Sequence, residues 1–253
     1  MSDGGEGRAA PSLAVVVPAY RAAETLPGVV ARIRDATRGA AAGGRAQVIV
    51  VDDGSDDAGA TAAAAAAAGA TVLRHDANLG KGRALALGLA EAVRGGADLV
   101  VTLDADGQHP PEAMPDLLAP LQAGAADLVV GSRQRAGRMP LGRRATNWLS
   151  STLVSRAVGF RVPDSQSGYR AMRRDVADRV RPGGGRYEFE TEFLFAAARQ
   201  GFRIRAVPVP TVYEGATSHF RYGADTLALG LVFLRHWRPI LVGPPAALQP
   251  VAR

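Results

Sequence analysis

The chain contains no cysteine, and Lys81 is its only lysine. Without cysteine there can be no disulfide, no thiolate zinc site and no cysteine nucleophile, and the composition fits a reducing compartment. No cleavable export signal is expected either. The opening MSDGGEGRAAPS is polar and Gly-rich, with no cationic stretch ahead of an apolar core, so residues 1–11 are expected to be a disordered tail. Nor is there a long hydrophobic run. The longest near the C-terminus, residues 224–234, is interrupted by Asp225 and Thr226 and falls far short of the roughly 20 residues of a spanning helix. Any membrane contact is therefore expected to be peripheral.

What is present is enough apolar material for a full core. Hydrophobic residues make up 47% of 253, which suits one large domain or two small ones. The 30 basic residues exceed the 24 acidic ones, for a net charge of +6. That balance favours anionic partners: phosphates, acidic lipid headgroups or nucleic acid.

Apolar runs and helical periodicities alternate. Leu13–Val17, Gln47–Val51, Thr71–Arg74, Asp98–Leu103, Asp127–Val130 and Arg203–Val207 read as strands. Between them, Thr25–Arg38 carries Leu26, Val29, Val30 and Ile33 on one face, and Gly82–Arg94 carries Leu85, Leu89 and Val93. Met114, Leu117, Leu118 and Leu121 mark another amphipathic helix. The alanine tract Ala58–Ala68, closed by Gly69, reads as a tightly packed crossover helix. This alternation predicts an α/β fold with a mostly parallel sheet covered by helices on both faces.

Polar residues cluster after the strand ends. Pro18, Tyr20 and Glu24 follow the first strand, Asp52 and Asp53 the second, Asn78, Gly80 and Lys81 the third, and Asp104, Asp106 and Gln108 the fourth. In an open α/β sheet that edge is where ligands bind. A nucleotide needs this mixture: an acid for base or ribose, glycines for close backbone approach, and cations or a metal for phosphates. Two carboxylates one residue apart, at the end of the strand in LVVTLDADGQHPP, suit a divalent cation on a phosphate, and the plain alternative is an acidic turn facing water. His109 reads as a loop residue facing water.

Six blocks, VVVPAYRAAETL, IVVDDGS, NLGKGRAL, LDADGQH, VVGSR and DSQSGYR, stand in an order and spacing that resemble the family 2 glycosyltransferases with a GT-A fold. The dolichyl-phosphate mannosyltransferase and polyprenyl-phosphate glycosyltransferase branch is the most similar. The resemblance covers roughly residues 12–222 and implies one Rossmann-like GT-A domain. Residues 223–253 read as a C-terminal helix, Asp225–Trp237, and tail; packing against the domain is its plain role, and Arg235 and Trp237 at the end of an apolar helix also suit a membrane interface. The resemblance implies an inverting, metal-dependent transfer of a hexose, mannose or glucose, from a GDP- or UDP-sugar to a polyprenyl phosphate. It also implies a cytoplasmic enzyme on the inner face of the membrane that does not bind nucleic acid.

Residue by residue, the resemblance makes Pro18, Tyr20, Glu24 and Asp53 walls of the nucleotide pocket, with Asp53 pairing to the base. Asp104, Asp106 and Gln108 would hold Mg²⁺ or Mn²⁺ against the donor diphosphate, with Lys81 beside it. Ser218, His219 and Arg221 resemble a loop that closes over the diphosphate. Arg133, with Arg143 or Arg144 ahead of a helix at Ala145–Val158, would grip the acceptor phosphate. The plain alternative for these arginines is solvation. A phosphate monoester is mostly dianionic near neutral pH, so it can attack the anomeric carbon without a general base, and no catalytic histidine is expected.

Asp164 and Arg170 read as a pair that holds the DSQSGYR loop. Phe189 and Phe193 are expected in the core, leaving the neighbouring acids at a helix N-terminus, although family position puts Glu190 near the sugar. Two further functions stand beside the main one. A saccharide or other hydroxyl acceptor would need a carboxylate base near the anomeric carbon. A non-catalytic nucleotide-binding protein would have no reason to keep the full Asp104, Asp106 and Gln108 set.

Overall fold

The computed structural model describes residues 11–38, 46–133, 141–183 and 188–210, with 230, 232–235 and 237 near the C-terminus, the side chains of 141–149 excepted. Apolar runs that cannot alternate between core and solvent form the inner strands, buried on both faces, while the two edge strands are less buried. The strands are β1 (Leu13–Ala19), β2 (Gln47–Asp52), β3 (Thr71–Arg74), β4 (Leu99–Thr102), β5 (Leu128–Arg133), β6 (Arg170–Arg173) and β7 (Ile204–Val209). They make one sheet in the order β3-β2-β1-β4-β6-β5-β7. All pairings are parallel except those of β6, which runs antiparallel to both β4 and β5.

Helices cover both faces, as the alternation predicts. Packed on one side are α1 (Leu26–Ala36), α2 (Ala60–Ala67) and α4 (Met114–Gln122), against Val15, Val17, Val50 and Val101. On the other are α3 (Lys81–Arg94), α5 (Leu141–Val158), α6 (Arg174–Arg179) and α7 (Glu188–Arg199), against Val16, Ile49, Val100 and Val130. Successive strand residues point to opposite faces, so neighbours in β1 serve different cores.

Three expectations change. β6 and α6 were not legible as elements. α5 begins at Leu141, which puts Arg143 and Arg144 inside its first turn rather than ahead of it. The alanine helix α2 buries only Thr61 and Ala65, one stripe at i,i+4, because alanine offers little surface to bury. Gly69 does close it, in the left-handed region at φ +81°.

The sheet order reverses direction of travel at β1 and β4, and the crevice beyond their C-terminal ends is the usual ligand position in such sheets. α3 is pressed onto this region. A Cβ added to its Gly88 would lie 2.3 Å from Val16 Cγ1, so glycine alone allows the close approach that sets the start of α3 at the sheet edge.

Candidate active site

Ala19 pairs in register with Asp52, Asp52 with Arg74, and Val16 with Thr102, so β1 to β4 deliver their following loops to one edge. β6 starts at that edge, since Arg170 pairs with Thr102 on one side and Val130 on the other. The strand ends in the sequence thus meet in space: Tyr20, Asp53, Lys81, Asp104 and Arg133 all belong to one rim.

Its centre is Lys81, the first residue of α3. Its Nζ lies 2.7 Å from Asp104 Oδ1 and 2.8 Å from Glu190 Oε1. Burial disfavours the ammonium, but the two carboxylates outweigh that and raise its pKa above the usual lysine range. Burial also works against the Asp104 carboxylate, and here Lys81 prevails and lowers its pKa. Asp106 goes the other way. Burial, and then the adjacent charge of Asp104, raise its pKa, and its Oδ1 accepts a hydrogen bond from the Gln108 backbone N–H at 3.0 Å.

Gly168 closes over this cluster. A Cβ there would fall 2.7 Å from Lys81 Nζ and 2.8 and 2.9 Å from the Asp104 oxygens. The space above Asp104 therefore exists because residue 168 has no side chain. Thr102 Oγ1 anchors the loop by donating to the Gly168 carbonyl at 2.7 Å.

Among the described residues no three His, Asp or Glu side chains converge as a metal cage. The donor set fits a divalent cation nonetheless. Mg²⁺ is usually held by one or two carboxylates, with waters and substrate phosphates completing the shell. Asp104 and Asp106 supply the carboxylates and Gln108 an amide oxygen. A cation there would offset the repulsion between the two carboxylates, which is the second cause, after burial, of the raised Asp106 pKa.

Arg133, at the end of β5, is paired with Asp164: Nε donates to Oδ2 at 2.5 Å and Nη2 to Oδ1 at 3.1 Å. The expected Asp164–Arg170 pair gives way to this one. Arg170 is buried and instead donates to the backbone carbonyls of Ser167, Ser165 and Glu190 at 3.0, 3.2 and 2.7 Å. Burial brings its pKa down to about 10. It ties the 164–168 loop to the first turn of α7.

Asp53 is 3% exposed, and the loop between β3 and α3 engages it. It accepts hydrogen bonds from the Leu79 and Gly80 backbone N–H groups at 3.0 and 2.8 Å, and His75 Nδ1 lies 2.7 Å away. A carboxylate has about four lone-pair sites, so these contacts use most of its capacity. In this structure Asp53 shapes the loop that leads into Lys81. Pro18 lies within β1, and Tyr20 is exposed at its end, its hydroxyl donating to Asp56 Oδ1 at 3.3 Å. Glu24 is exposed in the turn before α1. Ser218, His219 and Arg221 lie outside the described residues, and of Arg143 and Arg144 only the helical backbone is described.

His109, expected to face water, is buried at 3% exposure, its ring 5.4 Å from that of Tyr169. Neither ring nitrogen has a hydrogen-bond partner, and burial lowers its pKa. Proline on its C-terminal side was the available signal, since Pro110 and Pro111 turn the chain inward and their carbonyls receive the Tyr169 hydroxyl at 3.2 and 3.5 Å. Glu190 is also buried. Its position in the first turn of α7 looked compatible with dipole stabilisation, yet the side chain reaches across to Lys81.

The fold is that of the GT-A glycosyltransferases. A crystal structure of glucosyl-3-phosphoglycerate synthase from Mycobacterium tuberculosis, in complex with Mn²⁺, uridine diphosphate and phosphoglyceric acid, superposes with a TM-score of 0.71 at 24% identity, covering 93% of this chain and 80% of that one. Residues 14–181 match the family described as Glycosyl transferase family 2, and the chain belongs to that family. Undecaprenyl-phosphate mannosyltransferase of Micrococcus luteus is 34% identical over 231 residues, 88% of this chain and 92% of that protein. The UDP-N-acetylglucosamine–dolichyl-phosphate N-acetylglucosaminyltransferase of Methanococcus voltae is 35% identical over 149 residues, 56% of this chain and 59% of that protein. The match thus spans less than two thirds of the latter's length.

Proposed function

We propose that the chain transfers a hexose, mannose or glucose, from a GDP- or UDP-sugar to a polyprenyl phosphate with inversion at the anomeric carbon. The observation that carries this reading is the single rim on which Asp104, followed two residues on by Asp106, contacts Lys81, while Arg133 stands at the end of β5 on the same edge, with β6 between. The names of the Micrococcus luteus and Methanococcus voltae relatives, which specify undecaprenyl and dolichyl phosphates, support the acceptor class.

Asp104, Asp106 and Gln108 would hold Mg²⁺ or Mn²⁺, in keeping with the Mn²⁺ in the similar crystal structure. When bound, the cation would offset charge developing on the departing nucleoside diphosphate. Pro18, Tyr20, Glu24 and Asp53 wall the nucleotide, Lys81 adds positive charge beside the diphosphate, and Arg221 would add another to it. Arg133, with Arg143 or Arg144 in the first turn of α5, orients the acceptor phosphate. That group attacks as a dianion, so orientation and charge are what the protein must supply. Residues 12–222 would form the transferase unit and 223–253 a helix and tail at the membrane interface, on the cytoplasmic side.

Among the described residues no helix is long and apolar enough to cross a membrane. The segment at 230–237 presents Leu234 and Trp237 at 69% and 50% exposure, an apolar pair suited to a peripheral contact. One observation favours a hydroxyl acceptor instead: the buried Glu190 carboxylate stands in the site, where it would serve as base. Its Oε1 is, however, committed to Lys81.

A panel of GDP- and UDP-sugars, each with and without polyprenyl phosphate, tests the reading, with product linkage and anomer determined. A lipid-phosphate-linked product of inverted configuration is expected. Transfer to saccharide hydroxyls, with none to the lipid phosphate, would replace it.

A further inference from the structure

Lys81 stands where a divalent cation would have to compete with it. Its ammonium contacts Asp104, a carboxylate of the metal-holding pair, at 2.7 Å. It is shared with Glu190 at 2.8 Å, and Glu190 Oε2 has no hydrogen-bond partner. The place is narrow, since a Cβ on Gly168 would fall 2.7 Å from Lys81 Nζ and 2.8 and 2.9 Å from the Asp104 oxygens. A compact ammonium fits where the planar head of arginine would not, in a chain that otherwise uses arginine alone. Lys81 also opens the 14-residue helix α3, an unfavourable end for a cation unless anions hold it there. A phosphate would suit both the lysine and the helix end.

We infer that Lys81 is a resident occupant of Asp104 that makes cation and nucleoside diphosphate enter together. This rests on the metal-dependent transfer reading above. Without nucleotide, a divalent cation at Asp104 and Asp106 meets the fixed positive charge of Lys81. An arriving diphosphate gives Lys81 another counter-charge and releases Asp104 to the cation. By linkage each ligand then tightens the other. Lys81 acts here as a positioning residue, with Glu190 retaining part of its charge throughout.

The test is Mn²⁺ binding followed by the electron paramagnetic resonance signal of free Mn²⁺, on the full chain, with no nucleotide, with UDP and with GDP. The native chain should bind Mn²⁺ weakly alone and more tightly with one of the diphosphates. Lys81→Met should bind Mn²⁺ alone about tenfold more tightly than the native chain, with a smaller gain from nucleotide. Damage to the fold would not tighten binding. Glu190→Gln leaves the ammonium wholly to Asp104 and should weaken Mn²⁺ binding in the absence of nucleotide, so it carries the test should Lys81→Met not fold. Arg133→Gln removes a cation that does not touch Asp104 and should change Mn²⁺ affinity far less.

Equal Mn²⁺ affinity of the native chain and Lys81→Met without nucleotide overturns the inference, as does an effect of Arg133→Gln equal to that of Lys81→Met. In both cases the metal-dependent reading survives. Absence of Mn²⁺ uptake by every variant, with or without either diphosphate, overturns both.

Discussion

Arg133 and Asp164, 31 residues apart in sequence, meet through two hydrogen bonds, at 2.5 and 3.1 Å, with the Asp164 carboxylate almost wholly buried. The pair ties the end of β5 to the 164–168 loop, so the arginine proposed for the acceptor phosphate is also a structural tie.

Arg133→Ala should therefore have two effects. Leaving Asp164 buried without this partner should cost about 3 kcal/mol, visible in urea unfolding. At a temperature where the variant remains folded, the KM for polyprenyl phosphate should rise, or turnover fall, while nucleotide affinity stays nearly constant. An equal loss of nucleotide binding and transfer would remove the acceptor role.

Asp106→Asn should abolish most transfer and leave the fold intact. Asp106 lies in the loop after β4 with only one side of its carboxyl against the protein, and its hydrogen bond from the Gln108 backbone N–H at 3.0 Å can be accepted by an amide oxygen as well. Turnover should fall about 100-fold or more. Unchanged turnover with metal supplied would mean that Asp106 is not a ligand.

Gly168→Ala should separate stability from activity. The atoms its methyl would strike are the ends of the Lys81 and Asp104 side chains, at 2.7 to 2.9 Å, and these can shift. The melting temperature should move little, whereas displacement of both groups by a few tenths of an ångström to 1 Å should lower kcat by up to about 100-fold. A large loss of stability with near-native specific activity would show that the Gly168 loop is structural only.

Asp127 should contribute stability that depends on pH. It is partly buried, which disfavours its charge, but Arg203 outweighs this by donating from its backbone N, Nε and Nη2 at 2.8, 3.0 and 2.8 Å, and the carboxyl pKa is lowered. A depressed carboxylate pKa stabilises the fold above the unfolded value, about 4, and that contribution is lost as pH falls through the folded value. Asp127→Asn should cost about 1 kcal/mol at pH 7, a modest figure because the Arg203 side chain is more than half exposed. The gap between native and variant urea midpoints should close as pH falls below the unfolded value and through the lowered folded one. A gap unchanged by acid would assign the loss to packing.

Most of the sheet was legible because its strands are unbroken apolar runs ended by Gly, Asp or Pro, and burial on both faces demands such runs. β6 was not, since RAMR is four residues with a charged residue at each end. Its Arg170 is tolerable in the interior only because three backbone carbonyls from two other segments surround it. For the same reason the Asp164–Arg170 pairing, plausible within one loop, was displaced by Arg133 arriving from β5. His109 looked solvent-facing in a polar loop, and only the packing of Tyr169 beneath it shows otherwise.

By itself the sequence determined the class of fold and the presence of acids, glycines and cations after the strand ends. Those are local consequences of hydrophobic periodicity and of where apolar runs must stop. Tertiary structure decided which charges face one another. Lys81 meets Asp104 and Glu190 because parallel strands bring their C-terminal ends to one edge while β6 and α7 fold back against it. An ion pair between distant segments depends on distances of a few ångströms that no local pattern encodes.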